Sequence, residues 1–165
     1  MSYPLSFTVN GQPVKVEVQA TDSLLKVLRE DLRITSPKVG CNSGDCGACT
    51  VIIDGKAVKS CVTLALSVEG RSVETLEGIG TMQALHPIQR AFHEHYASQC
   101  GFCTPGMIMS AKALLDANPN PSRDEVIESL AGNLCRCTGY AKIVEAVMAA
   151  AEVNREGGDK AECAS

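Results

Sequence analysis

Nine cysteines in a chain of 165 residues constrain what this protein can be more than any other feature of its sequence. Free thiols are reactive, and so many of them need partners. Two stand one residue apart in GNLCRCTGY, Cys135 and Cys137 with Arg136 between them. A disulfide between such near neighbours would be strained, and zinc sites usually take their cysteines two to four residues apart. The cysteine count is odd, and the opening MSYPLSFTVN has no charged region followed by an apolar run. A disulfide framework of the secreted kind therefore fits poorly, and metal ligation fits better.

Spacing sorts eight of the thiols into two quartets. Cys41, Cys46 and Cys49 form C-x4-C-x2-C in GCNSGDCGAC, and Cys61 follows after eleven intervening residues. The first three have the spacing that holds a 2Fe-2S cluster in plant-type ferredoxins. Gly40, Gly44 and Gly47 lie in the same loop. Without side chains they let backbone N–H groups approach cluster sulfurs and offset negative charge. A zinc knuckle needs neither the four-residue gap nor so much glycine. Cys100 and Cys103 form C-x2-C in QCGFCTPG, and the Cys135–Cys137 pair follows after thirty-one intervening residues. Two thiols so close can share one iron of a diiron cluster while the C-x2-C pair holds the other. Cys163, in the polar stretch NREGGDKAECAS, is left over.

The flanking sequence predicts two scaffolds. LSFTV and VKVEV alternate apolar and polar residues around NGQP, which predicts a hairpin over residues 5–18. Leu25, Leu28 and Leu32 share one face of a short helix behind Thr21 and Asp22, its candidate caps. TVII, the Asp54-Gly55 turn and KAVKSCV predict a second hairpin carrying Cys61, and SVETLEG reads as a further strand. A Gly-rich GIGT marks a boundary near residue 80, so the expected domains are 1–80 and 81–153, with a flexible polar tail over 154–165.

Beyond the boundary the pattern turns helical. Leu85, Ile88 and Phe92 share a face of a first helix, Thr104-Pro105 opens a second, Ser122 and Glu125 form a capping box for a third, and a fourth begins after Thr138. Cys103-Thr104 matches Cys137-Thr138, which predicts a pseudo-symmetric four-helix domain with its cluster at two positively polarised helix amino termini. Glycine amides serve the first quartet instead, so the two clusters should differ in potential. His93 and His95 point in different directions, His86 caps or lines a contact, Met107 and Met109 read as core, and Asp124, Glu125 and Glu128 read as a solvated face. Arg136 is expected to tie its loop to a carboxylate or carbonyl.

A net charge of −4 leaves no basic stripe for nucleic acid. No run approaches the roughly 18 apolar residues of a membrane span. No G-x-G-x-x-G or G-x-x-x-x-G-K-[ST] loop is present. The expectation is a protein without nucleic-acid or membrane partners, cytoplasmic, or periplasmic if exported with a partner that carries the signal.

Taken together, GCNSGDCGACTV, QCGFCTPGMIM and GNLCRCTGY resemble the iron-sulfur subunit of the molybdenum hydroxylases, the xanthine oxidase family, over about residues 3–153. The resemblance implies an α+β chain, a ferredoxin-like β-grasp domain followed by a four-helix domain, each with one 2Fe-2S cluster. Cys41, Cys46, Cys49 and Cys61 would ligate the first cluster, and Cys100, Cys103, Cys135 and Cys137 the second. It implies a large partner carrying a molybdopterin cofactor against the second cluster and a medium partner carrying FAD toward the first, in a heterotrimer or its dimer. Gln99 and Cys137 would contact the pterin. Electrons would run from substrate through molybdenum and the two clusters to FAD, with an aldehyde or N-heterocycle as substrate. Carbon monoxide dehydrogenases and hydroxybenzoyl-CoA reductases share these motifs, and a free-standing two-cluster carrier, a zinc-stabilised module and a disulfide-based redox sensor are the rival readings.

Overall fold

The computed structural model describes residues 1–162, so Cys163 lies outside the described residues. Alternation in LSFTV buries Leu5, Phe7 and Val9 on one face of β1 (Ser2–Val9), which pairs antiparallel with β2 (Gln12–Gln19). Asn10 and Gly11 join them, with φ of 51° and 79°, the left-handed pair that suits a two-residue hairpin turn. The second hairpin, β3 (Thr50–Ile53) and β4 (Lys56–Lys59), turns in the same way at Asp54 and Gly55, with φ of 47° and 80°. Between the hairpins lies β5 (Ser72–Glu74), parallel to β1 and antiparallel to β3, giving the order β2-β1-β5-β3-β4.

One face of this sheet packs on the helical segment α1 (Leu24–Lys26) and the π turn that prolongs it (Val27–Asp31). Leu24, Val27 and Leu28 join Leu5, Phe7, Val51, Ile53 and Val73 in a single core. The cap is Ser23, whose hydroxyl accepts from Lys26 N at 3.2 Å, while Asp22 pairs with Lys26 Nζ at 2.6 Å. Neither expected residue, Thr21 or Asp22, takes the capping position. Two further expectations shift in detail. Cys61 sits in a 3-10 turn (Ser60–Val62) after β4 instead of on the strand, and SVETLEG ends its strand at Glu74. Its remainder forms a helical turn, α2 (Leu76–Ile79), and Leu76 and Ile79 already pack on the helical core.

That core lies among α3 (Pro87–Glu94), α4 (Thr104–Ala117), α5 (Arg123–Leu130) and α6 (Ala141–Glu162). Ile88, Phe92, Met107, Ile108, Val126, Leu130, Ile143 and Val147 meet in it, and Leu85 lies just ahead of α3. His86 caps α3: Ile88 N donates to its Nδ1 at 3.3 Å, and His86 N donates to Gln89 Oε1 at 2.9 Å. Ser122 and Glu125 form the expected capping box of α5. The symmetry expected of the two Cys-Thr steps is realised only at α4, which opens on Thr104. Gly139 and Tyr140, with φ of 64° and 68°, hold the chain out of the right-handed helical region after Thr138, so α6 starts at Ala141. The polar stretch from Asn154, expected as a tail, continues α6 to Glu162, with no proline to stop it.

The two domains meet through backbone. A Cβ on Gly106 would lie 2.2 Å from the Gly47 carbonyl oxygen, and one on Gly47 would lie 2.3 Å from the Gly132 carbonyl oxygen. Asn133, only 2% exposed, closes the contact. Its Nδ2 donates to Gly47 O at 3.0 Å and Thr50 Oγ1 at 3.3 Å, while its Oδ1 accepts from Ser110 Oγ at 2.8 Å and Lys59 Nζ at 3.3 Å. All four hydrogen-bonding positions of the amide are therefore used. Leu134 N donates to Cys46 O at 2.9 Å, and Lys112 Nζ reaches Glu74 across the boundary at 3.1 Å.

Gly106→Ala should force a methyl group into the Gly47 carbonyl and lower stability by about 2 kcal/mol or more, read from urea unfolding of the cluster-loaded protein. Gly132→Ala, whose new carbon meets only the tip of Lys59, at 3.2 Å, a contact relieved by a shift of a few tenths of an ångström, should cost under about 1 kcal/mol. Equal losses would contradict the account of the junction.

Candidate metal centres

The first quartet is assembled by the β3–β4 hairpin and the loop that leads into it. Cys49 is buried at the start of β3, and the pairing of Thr50 with Lys59 brings Cys61 to the same end of the sheet. Ser60 locks this end by donating from N and Oγ to Cys49 O, at 3.3 and 2.7 Å. The loop curls back through left-handed residues at Asn42 and Gly44, with φ of 57° and 87°. Amides then point at sulfur: Ser43 N and Cys46 N each lie 3.4 Å from Cys41 Sγ, and the Gly44 N–H donates to Cys61. A Cβ on Gly40 would lie 2.6 Å from Cys46 Sγ, so only glycine leaves room there for the thiol.

These contacts divide the quartet electrostatically. Hydrogen bonds from Ser43, and from the amides of Cys46 and Ser43, bring Cys41 down to about 6. Burial, followed by the adjacent Cys49 thiol, pushes Cys61 up to about 11. A metal centre that replaces the protons favours the thiolate at both.

The second quartet joins the loop before α4 to the loop before α6. Cys100 and Cys137 place their sulfurs 3.6 Å apart at the surface, and Cys103 and Cys135 make the corresponding contact further in. Two thiolates about 2.3 Å from one tetrahedral metal would lie about 3.8 Å apart, so the 3.6 Å between Cys100 and Cys137 would suit two ligands of one metal. The sequence expectation has Cys135 and Cys137 sharing an iron; the sulfurs that lie together here are Cys100 with Cys137 and Cys103 with Cys135.

Cys135 receives the Thr138 hydroxyl at 3.1 Å, and its own amide donates to Tyr140 Oη at 2.9 Å. Burial acts to raise Cys135, but the Thr138 hydroxyl and the Thr138 and Cys137 amides outweigh it and the net shift is downward. Cys103, at the amino terminus of α4, is pushed up to about 12, first by burial and then by Cys135.

Among the described residues, no three His, Cys, Asp or Glu side chains converge where a single ion could sit, and all eight quartet cysteines are free thiols. Four thiols arranged as two cross-pairs suit a diiron cluster, which distributes four cysteine ligands over two irons. The chemistry and spacing of both donor sets fit 2Fe-2S.

Other expected residues fall as follows. Gln99 is exposed beside Cys100. Gly44 directs its amide at a sulfur, as the glycine argument expects, whereas Gly47 is buried against Gly132 and Asn133. Arg136 is exposed, and no hydrogen bond or ion pair joins it to another described residue. Met107 and Met109 are buried. Exposed apolar side chains flank both quartets in sequence: Val39, Val62 and Leu64 about the first, Phe102 and Leu134 about the second.

Sequence reasoning missed Asn133, Thr138, Tyr140 and Lys59. The first three lie within GNLCRCTGY, where adjacency to Cys135 and Cys137 was the available signal. Lys59 stands two residues before Cys61 and carried no pattern of its own. Burial lowers its ammonium from the ordinary lysine value, while the thiolates of Cys49, Cys46, Cys61 and Cys41 pull it back up.

Two family models match the chain, a 2Fe-2S iron-sulfur cluster binding domain over residues 7–75 and a 2Fe-2S binding domain over residues 75–148. The chain is 55% identical to the nicotine 6-hydroxylase small subunit of Paenarthrobacter nicotinovorans, over 85% of this chain and 84% of that one. The crystal structure of quinoline 2-oxidoreductase from Pseudomonas putida 86 matches with a TM-score of 0.89 and 47% identity, over 94% of this chain and 98% of that one. The aldehyde oxidoreductase from Desulfovibrio gigas matches with a TM-score of 0.91 and 47% identity, over 94% of this chain but 17% of that much longer one.

In the metal-free protein Cys41 should be alkylated first. Its thiolate fraction rises with pH through about 6, so iodoacetamide labelling followed by peptide mass mapping at pH 7 should find it modified well ahead of Cys61 and Cys103, which stay protonated up to about 11 and 12. Labelling of Cys41 should slow as the pH falls below 6. Equal rates at the three positions would contradict the assigned geometry.

Proposed function

The chain belongs to the iron-sulfur small subunits of the molybdenum hydroxylases, and on that premise we propose that it carries electrons between a molybdopterin site and FAD held by partner chains. Each 2Fe-2S cluster, when bound, accepts and releases one electron. Cys41, Cys46, Cys49 and Cys61 hold one cluster in this reading, and Cys100, Cys103, Cys135 and Cys137 the other. The observation that carries the proposal is the placement of the two quartets. Cys100 and Cys137 lie at the surface, Cys103 and Cys135 behind them, and the Leu134 N to Cys46 O hydrogen bond of 2.9 Å ties the second ligand loop to the first.

In this arrangement Gln99 and Cys137 face the molybdopterin subunit, and Cys41, also exposed, lies toward the flavin subunit. The apolar side chains around both quartets favour a docked subunit over a free carrier, since exposed apolar surface beside a site marks a contact face. Substrate chemistry is assigned to the large partner. The similar proteins are named for nicotine, quinoline and aldehyde, so an N-heterocycle or an aldehyde is the proposed substrate class, and a heterotrimer or its dimer the proposed assembly. No described helix is long and apolar enough to cross a membrane. The eight free thiols suit assembly in the reducing cytoplasm.

Native purification through a tag on this chain, followed by metal analysis, tests the reading. The expected result is a red-brown complex with iron near about four per copy of the chain, accompanied by molybdenum and flavin in larger chains. Zinc in place of iron, or iron near half that amount, contradicts it.

A further inference from the structure

Lys59 on β4 stands directly opposite Thr50 of β3, the residue after Cys49. Its side chain turns inward instead of into solvent, and Nζ donates to Thr50 Oγ1 at 3.1 Å and Asn133 Oδ1 at 3.3 Å. Thr50 Oγ1 in turn donates to Gly47 O at 2.7 Å and accepts a second bond from Asn133 Nδ2 at 3.3 Å, which fills the hydroxyl's capacity. The ion pairs among the described residues do not include Lys59. Its partners are neutral oxygens, and Thr50, one of them, follows Cys49 of the first quartet directly in the chain. Taking an ammonium partly out of water with only neutral partners is unfavourable, so a positive charge is kept at a place where an apolar side chain would pack more easily.

We propose that Lys59 is a positioning residue that raises the reduction potential of the N-terminal centre, its ammonium fixed by Thr50 and Asn133 beside the first cysteine quartet. The proposal rests on the reading that this quartet holds a 2Fe-2S cluster. Reduction adds one electron and therefore one negative charge. A fixed positive charge nearby stabilises the reduced form more than the oxidised form, and the low dielectric of the junction strengthens the effect. No proton or bond change is needed. Because Asn133 belongs to the helical domain and directly precedes the Leu134-Cys135 segment, the charge gains its second partner when the two quartets are docked. The device therefore makes the N-terminal centre a better acceptor in the assembly where the second centre is beside it.

EPR-monitored redox titration of the complete complex tests this, comparing Lys59→Met, Lys59→Gln and Lys59→Arg. Cys41→Ser, which alters a ligand of the first quartet alone, identifies beforehand which signal belongs to the N-terminal centre. Lys59→Gln keeps hydrogen-bonding capacity toward Thr50 and Asn133 without the charge, and it carries the test if Lys59→Met loses its cluster. Removing the charge should weaken one-electron reduction of the N-terminal centre by tenfold or more, a fall of at least about 59 mV, with the other midpoint unmoved. Lys59→Arg should restore the wild-type value. Unmoved midpoints, equal shifts at both centres, or a shift in Lys59→Arg as large as in Lys59→Gln would show that Lys59 only fills space. A wild-type complex with a single iron-sulfur signal would instead overturn the functional reading.

Discussion

The arrangement of this protein depends on a close approach of backbone to backbone at the domain junction. Gly47, Gly106 and Gly132 come from the first cysteine loop, the first turn of α4 and the second cysteine loop, and at Gly47 and Gly106 there is no space for a side chain. The loops are therefore near enough for one side chain, Asn133, to make three hydrogen bonds into the first domain and one to Ser110 of its own. A buried amide with every position satisfied is rigid, because any displacement leaves a donor or acceptor unpaired at a cost of about 1–3 kcal/mol. The two ligand loops thus share one anchor, and the separation of the quartets is set by hydrogen bonds and close backbone contact at the junction.

Around that anchor, negative charge at sulfur is met in two different ways. The first quartet draws on loop amides, with Ser43 and Cys46 directed at Cys41 and Gly44 at Cys61, and on the ammonium of Lys59. The second draws on the Thr138 hydroxyl and the Thr138 and Cys137 amides, with Cys103 at the amino terminus of a fourteen-residue helix. Dipoles from amides and hydroxyls lie close to single sulfurs, whereas a full charge acts on several at once. The two donor sets thus differ in their second contacts and not in residue type, since all eight residues are cysteines.

Much of this was legible because it follows periodicity and turn chemistry. Alternation in LSFTV, the NG and DG turns, the Ser122–Glu125 box and the spacing of the cysteines each specify local structure with little help from the rest of the chain. The departures occur where a distant partner decides. Ser23 caps α1 in place of its neighbours, and Leu76 and Ile79 leave the sheet because they meet the helical core. Gly47 reads as a loop glycine serving sulfur, but its carbonyl neighbour Gly132 lies 85 residues away in sequence. The cross-pairing of Cys100 with Cys137 is another such case, since spacing along the chain says which thiols are near in sequence and nothing about which loops face each other.

The same geometry bears on direction. Each quartet has an exposed member, Cys41 in one and Cys100 and Cys137 in the other, while Cys49 is buried and Cys103 and Cys135 are partly covered. The covered ligand Cys135 adjoins Leu134, whose amide meets the carbonyl of Cys46. The exposed cysteines thus mark the outer edges of the two sites, and the covered ones lie further in. From Cys135 the chain continues to Leu134 and through its hydrogen bond to Cys46 into the first loop, a bonded connection between the two quartets. A chain with two clusters on separately mobile domains would lack that continuity. The close contact of Gly47 and Gly106 keeps the two loops near enough for the Leu134–Cys46 hydrogen bond.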